Sequence, residues 1–179
     1  MIAPGFRRAL SKAGTALLVA TLFFPAGPVA AQSASAGADS STKMKLIDLW
    51  RPGDAGQRMN IRGRVTSLDG TPLAGIEISI RQANGDGDYT DQYQTRLTSD
   101  DKGRYQFGSV VPGNYMGAKH VHVTVYQKGW EYFDTSILFK GDPNLDSHYG
   151  DGTPIFLEES TVNGETIMFG RFDIVLTPE

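Results

Sequence analysis

The sequence predicts an all-β protein, an antiparallel β-sandwich beginning near Met44. Three observations predict it. Apolar and polar residues alternate along several short runs, the period of a half-buried strand. Clusters of Gly, Pro, Asn and Asp separate those runs, as turn formers do. After the first 31 residues, no apolar run has both the spacing and the length of a helix.

The chain starts with a segment of another kind. Arg7, Arg8 and Lys12 precede the twelve-residue apolar run "AGTALLVATLFF" (13–24). That run is short for a bilayer, which needs about 20 apolar residues. Pro25 breaks it, and "VAA" (29–31) offers the small residues that a signal peptidase reads. Residues 1–31 are therefore expected to be a secretory signal peptide rather than a short buried helix or a membrane anchor. The adjacent arginines of "FRRALSK" also permit a twin-arginine signal in place of a general secretory one. The expected location is periplasmic or extracellular. "QSASAGADSST" (32–42) is small and polar, so 32–43 reads as a flexible linker. The domain is expected over 44–179.

Within it, "IRGRVTSLDGTPLAGIEISIRQA" (61–83) reads as strand, turn, strand around "LDGTPLAG", and "YQTRLTSDDKGRYQFGSV" (93–110) repeats the form around "SDDKG". "HVHVTVY", "TSILF", "PIFLEES" and "TIMFGRFDIVLTP" supply further strands. "GDPNLDSHYGDGTP" (141–154) reads as a long acidic surface loop.

Charge and composition exclude some functions. The whole chain carries a formal charge of −3. Loss of Arg7, Arg8 and Lys12 with the leader leaves 14 Lys and Arg against 20 Asp and Glu, a charge of −6. No basic patch with interleaved aromatics occurs, so nucleic acid is not an expected partner. Nor is a membrane span expected in the mature chain. There is no cysteine, hence no disulfide and no thiolate metal site.

Histidine and tyrosine carry the remaining chemistry. In a strand, residues i and i+2 share a face, so His120 and His122 point one way while Val121 and Val123 point the other. Two imidazoles on one rigid face make a half-site for a metal. A bare pair of this kind is more often an ordinary solvated strand face. A zinc site built from histidine alone requires His148 to fold back from its loop. Tyrosine offers another route: a phenol normally keeps its proton to a pH near ~10, yet a strongly charged cation strips that proton. Two histidines and two phenolates suit Fe(III), with hydroxide completing neutrality. Composition alone does not choose among Tyr89, Tyr93, Tyr105, Tyr115, Tyr126, Tyr132 and Tyr149. "NGDGDYTDQ" starts with the oxygen spacing of a calcium-binding helix-loop-helix. It has Tyr89 where glycine and Thr95 where glutamate belong, so it reads as a polar turn.

Four stretches, in order, resemble the intradiol ring-cleavage dioxygenases, the catechol and protocatechuate enzymes and their exported relatives. "GRVTSLDGTPLAGIEISIRQANGDGDY" is similar to that family's strand, turn and strand ending in "WQANxxGxY". "TSDDKGRYQFGSVVPGNY" resembles "TDxxGxYxFxTIxPGxY", "KHVHVTV" resembles the "HIHF" strand, and "TSILFKGDP" resembles "TQLYFxGDP". The resemblance spans about Arg62 to Pro143. It implies a transthyretin-like (prealbumin-like) sandwich and a non-haem ferric iron held by Tyr89, Tyr115, His120 and His122. It implies a small aromatic diol and O2 as substrates, ring opening between the two hydroxyls to a muconic-type diacid, and no organic cofactor. Both oxygen atoms enter the product. Tyr115 matches the tyrosine that leaves the iron as substrate binds and serves as a base; Tyr89 matches the one that stays.

The match departs at three places. The family has an arginine three residues before its first histidine, thought to stabilise negative charge on the substrate ring; Gly117 stands there. Ser136 replaces a glutamine, and Arg81 replaces the tryptophan. Arg81, Arg96 and Lys119 are the available cations, and Lys119 is expected to face away from His120. These departures predict slow turnover of simple catechols, with Gly117→Arg expected to raise the rate provided the loop is long enough to admit the side chain. The strand-turn-strand blocks also resemble non-enzymatic transthyretin-like and carboxypeptidase-regulatory modules, a second function class. The apolar run and its "VAA" end predict a mature N-terminus at Gln32. N-terminal sequencing of exported protein checks this, and a start at Met1 contradicts it.

Overall fold

The structure, a computed structural model, describes residues 44–148 and 150–179. The expected leader 1–31, the linker 32–43 and Tyr149 lie outside them. Among the described residues two sheets form. The first runs in the order β1 (Ile47–Asp48), β5 (Arg104–Val110), β2 (Arg58–Ser67), β10 (Glu165–Arg171), β9 (Leu157–Val162), with β11 (Ile174–Leu176) also pairing β2. The second runs β4 (Tyr89–Thr98), β3 (Glu77–Ala83), β6 (His120–Val125), β7 (Phe133–Phe139), β8 (Gly152–Ile155). This is the two-layer β-sandwich that the alternation predicts.

The antiparallel pairs β2–β5, β3–β4, β3–β6 and β6–β7 build its centre. Parallel pairs join it where the chain has length to cross back: β1–β5, β2–β10, β2–β11 and β7–β8. The β7–β8 pair is closed by the 140–151 segment, about the dozen residues that a parallel return needs.

Turn chemistry sets the hairpins. At "SDDKG" the Asp100 carboxylate accepts from the backbone N–H of Lys102 and Arg104, and Gly103 N–H donates to the Asp100 carbonyl. At "NGDGD" the Asn84 Oδ1 accepts from the N–H of Asp86 and Asp88, at 3.0 and 2.8 Å. The latter stretch is thus the polar turn expected of it.

The core lies between the sheets. Met59, Ile61, Val65 and Phe107 come from one; Ile78, Ile80, Val121, Val123, Val125 and Ile137 come from the other. Tyr105 is buried among them and donates its hydroxyl to the Phe172 carbonyl at 2.6 Å. Burial raises its pKa, so it stays a neutral donor there. Strand alternation leaves the second sheet a polar outer face. Arg81 of β3, His122 of β6 and Ser136 of β7 are cross-strand partners in one row on it. No helix among the described residues is long and apolar enough to cross a membrane.

Candidate metal centre

The centre is built on β6, whose even-numbered residues face out while Val121, Val123 and Val125 are fully buried. His120 and His122 share the outer face, as the spacing predicts. His120 Nδ1 lies 2.8 Å from the Ala118 carbonyl oxygen. A carbonyl only accepts, so Nδ1 carries the proton and Nε2 presents its lone pair. The two Nε2 atoms stand 3.1 Å apart.

Tyr89 joins them from the neighbouring hairpin. Its hydroxyl is 3.1 Å from His122 Nε2 and 3.4 Å from His120 Nε2. The bulge between Arg81 and Ala83 brings it there, because Ala83 then pairs with Tyr89 at the first residue of β4. Three donor atoms thus form a triangle with sides of 3.1, 3.1 and 3.4 Å. Donors bound to one ion at about 2.1 Å, with angles of about 90–110°, stand about 3.0–3.4 Å apart. The triangle fits a single cation. Its two imidazoles and one phenol are donors that ferric iron accepts.

Tyr115 enters differently. Its ring meets Tyr89 edge-on, with centroids 5.1 Å apart, and it lines the same shallow pocket of about 240 Å3 with Met116, Ala118, Ser147 and the triangle. It is 47% exposed, and among the described residues its hydroxyl makes no hydrogen bond to the other three. It sits on a loop in which Met116 and Gly117 have φ of +47° and +136°. That loop is held against the Tyr89 turn by glycine contacts. A Cβ on Gly113 would lie 2.5 Å from both the Gly85 oxygen and the Gly87 nitrogen, and Gly113 N–H donates to the Asn84 carbonyl at 2.8 Å. The two tyrosines are neighbours because two backbones touch.

Three features were not foreseen from the sequence. The 141–154 segment is more than a surface loop. It forms a 3-10 turn at 145–147 and then β8, and it returns His148 to the site. The His148 ring lies 5.2 Å from that of His120, and its Nε2 is buried without a partner. Arg81 places its guanidinium carbon 4.7 Å from the centre of the Tyr89 ring, a cation–π contact. The third is the left-handed backbone of Gly117, with φ of +136°. Arg96 is paired with Glu77 instead, and Lys119 gives its backbone N–H to Asp142 Oδ2. Tyr93 is buried, bonded to the Asp54 side chain and raised in pKa, chiefly by burial.

Electrostatics favour donors in their neutral forms before a cation arrives. Burial lowers the His122 pKa, with further lowering from His120, Arg81 and His148, so the imidazole keeps its lone pair. Burial raises the Tyr89 pKa, while the Arg81 charge acts against that rise. Only a strong cation displaces that phenolic proton.

Against known proteins, a family model described as Dioxygenase matches residues 26–178. The chain belongs to the intradiol dioxygenase family. Among its relatives, a chlorocatechol 1,2-dioxygenase of Rhodococcus opacus is 26% identical across 70% of this chain and 62% of its own. A hydroxyquinol 1,2-dioxygenase of the same organism is 31% identical across 71% and 56%. The chain thus spans between half and two thirds of the length of these curated relatives. The crystal structure of 3-chlorocatechol 1,2-dioxygenase from Rhodococcus opacus 1CP superposes with a TM-score of 0.67 at 16% identity, covering 75% of this chain and 65% of that one. The sandwich is that family's fold.

The condition on a gain from Gly117→Arg, a loop that admits the side chain, is not met. Gly117 has φ of +136°, and a Cβ there would lie 3.1 Å from the Ser147 carbonyl oxygen. Side chains other than glycine's rarely adopt that backbone conformation. The variant is expected to lose about 1–3 kcal/mol of stability and to gain no activity. Denaturant unfolding and catechol turnover check this. Unchanged stability with faster turnover contradicts it.

Proposed function

We propose that this protein is an exported, non-haem ferric dioxygenase. It opens a catechol-type ring between its two hydroxyls with O2 and yields a muconic-type diacid. Tyr89, Tyr115, His120 and His122 hold the iron. The observation that carries this reading is the triangle of Tyr89 Oη, His120 Nε2 and His122 Nε2. It lies in a pocket of one wall of the family's sandwich. Membership of the family supports the reaction class, and the leader "AGTALLVATLFF" supports export to the periplasm or the extracellular space.

Ferric iron held there supplies Lewis acidity to a bound diol and to the phenolates around it. The chain's residues do the rest. Ala118 orients the His120 ring through Nδ1, the second contact by which a ligating imidazole is commonly fixed. Val121 and Val123 anchor the strand from behind. Tyr89, half-buried beneath Arg81, is the fixed phenol. Tyr115, exposed and unbonded to the triangle, is the one able to swing aside. Having lost its own proton on iron binding, its Oη would take up a hydroxyl proton from the diol as it leaves, which is general-base work. Met116 and Ala118 supply apolar surface at the pocket's edge for the aromatic ring.

Purified mature protein loaded with ferric iron is expected to be coloured, because phenolate-to-iron charge transfer absorbs visible light. His120→Ala or His122→Ala should lose most of the iron. Tyr89→Phe should bleach or strongly shift the band. Tyr115→Phe should keep some iron and colour while ring cleavage falls. Tyr93→Phe, whose hydroxyl faces Asp54, should leave the band in place. Iron analysis and visible spectra of the set decide. A colourless wild type, or a band lost in Tyr93→Phe and kept in Tyr89→Phe, refutes the assignment.

A further inference from the structure

Arg81 forms no ion pair among the described residues. Among the described residues no carboxylate lies within ion-pair distance of its guanidinium, which makes no side-chain hydrogen bond there; its interaction is with the Tyr89 ring face at 4.7 Å. An acid is close by. Asp134 lines the same hollow of about 270 Å3, with Ser79, Arg81, His122, Thr124 and Tyr132. Yet Asp134 accepts from the Thr124 hydroxyl at 2.9 Å. Arg81 is held at the centre by its strand: it is the cross-strand partner of His122, on the same face. Its guanidinium is always protonated, and its N–H groups are unspent.

The site has reason to need such a charge. A diol that binds by losing both protons brings two negative charges to a place already lined by phenols. Position 117 offers no side chain, and its backbone does not admit one. We propose that Arg81 is the positioning residue of this centre: it clamps the Tyr89 ring through its face and offsets the negative charge of Tyr89 and of the bound diolate. A cation over a phenolate stabilises the donor orbital. The Tyr89-to-iron transition therefore lies at higher energy than it does without Arg81.

This inference rests on the iron reading above, and the test separates the two. Iron-loaded Arg81→Met, which keeps the stem and removes the charge, is expected to retain its iron. Its visible band should move to longer wavelength. Anaerobic titration with catechol should show a dissociation constant about tenfold higher, the loss of roughly one charge-assisted contact. Arg81→Lys should recover part of both changes, and Arg81→Gln should resemble Arg81→Met. A merely structural side chain would not move the band in the absence of substrate. A coloured wild type whose band and catechol affinity are unchanged in both Arg81→Met and Arg81→Gln overturns the role of Arg81 alone. A colourless wild type overturns the iron reading and this inference with it.

Discussion

The site depends on the alternation of one strand. Val121, Val123 and Val125 are sealed in the core, and that packing is what holds His120 and His122 outward with their Nε2 atoms 3.1 Å apart. Each buried valine contributes on the order of 1.5–3 kcal/mol. A slip of one residue would put imidazole in the core and valine on the surface. The hydrophobic effect thereby fixes the register, and the register fixes the half-site. β3 and β7 flank the strand on both sides, so neither histidine sits on a free edge.

The remaining donors come from loops, and a different constraint sets them. The Tyr89 turn and the Tyr115 loop meet backbone to backbone at Gly87 and Gly113, where side chains would collide with Asn114 and with Gly85 and Gly87. Asn84 ties the contact together by capping its own turn and by accepting from Gly113 N–H. The result is asymmetric. Tyr89 begins a paired strand and is held by His122 and Arg81; among the described residues Tyr115 is held by its ring contact with Tyr89. A fixed phenol beside a loosely held one would suit the proposed centre, with one phenol to retain a metal and the other to open a place for a diol.

The sandwich and the histidine face were legible in the sequence because both follow from a period of two. The polar turn at 84–88 was legible from its residue types. The meeting of Tyr89 with the histidine pair was legible only through the family resemblance. A bulge at 81–83 sets it, and no local pattern announces a bulge of that kind. Arg81 occupies the place of a tryptophan and read as a departure, because its contact lies across strands. His148 read as loop; the parallel return from β7 to β8 brings it back, and that pairing is non-local. The cost of a side chain at Gly117 followed from a φ value that sequence does not give.

Anomalous X-ray diffraction at the iron edge, from crystals of ferric-loaded mature protein, locates the metal relative to the triangle. One strong peak is expected within about 2.0–2.3 Å of Tyr89 Oη, His120 Nε2 and His122 Nε2. A peak held by His120, His122 and His148 with Tyr89 left out contradicts it, as does a triangle that binds no iron.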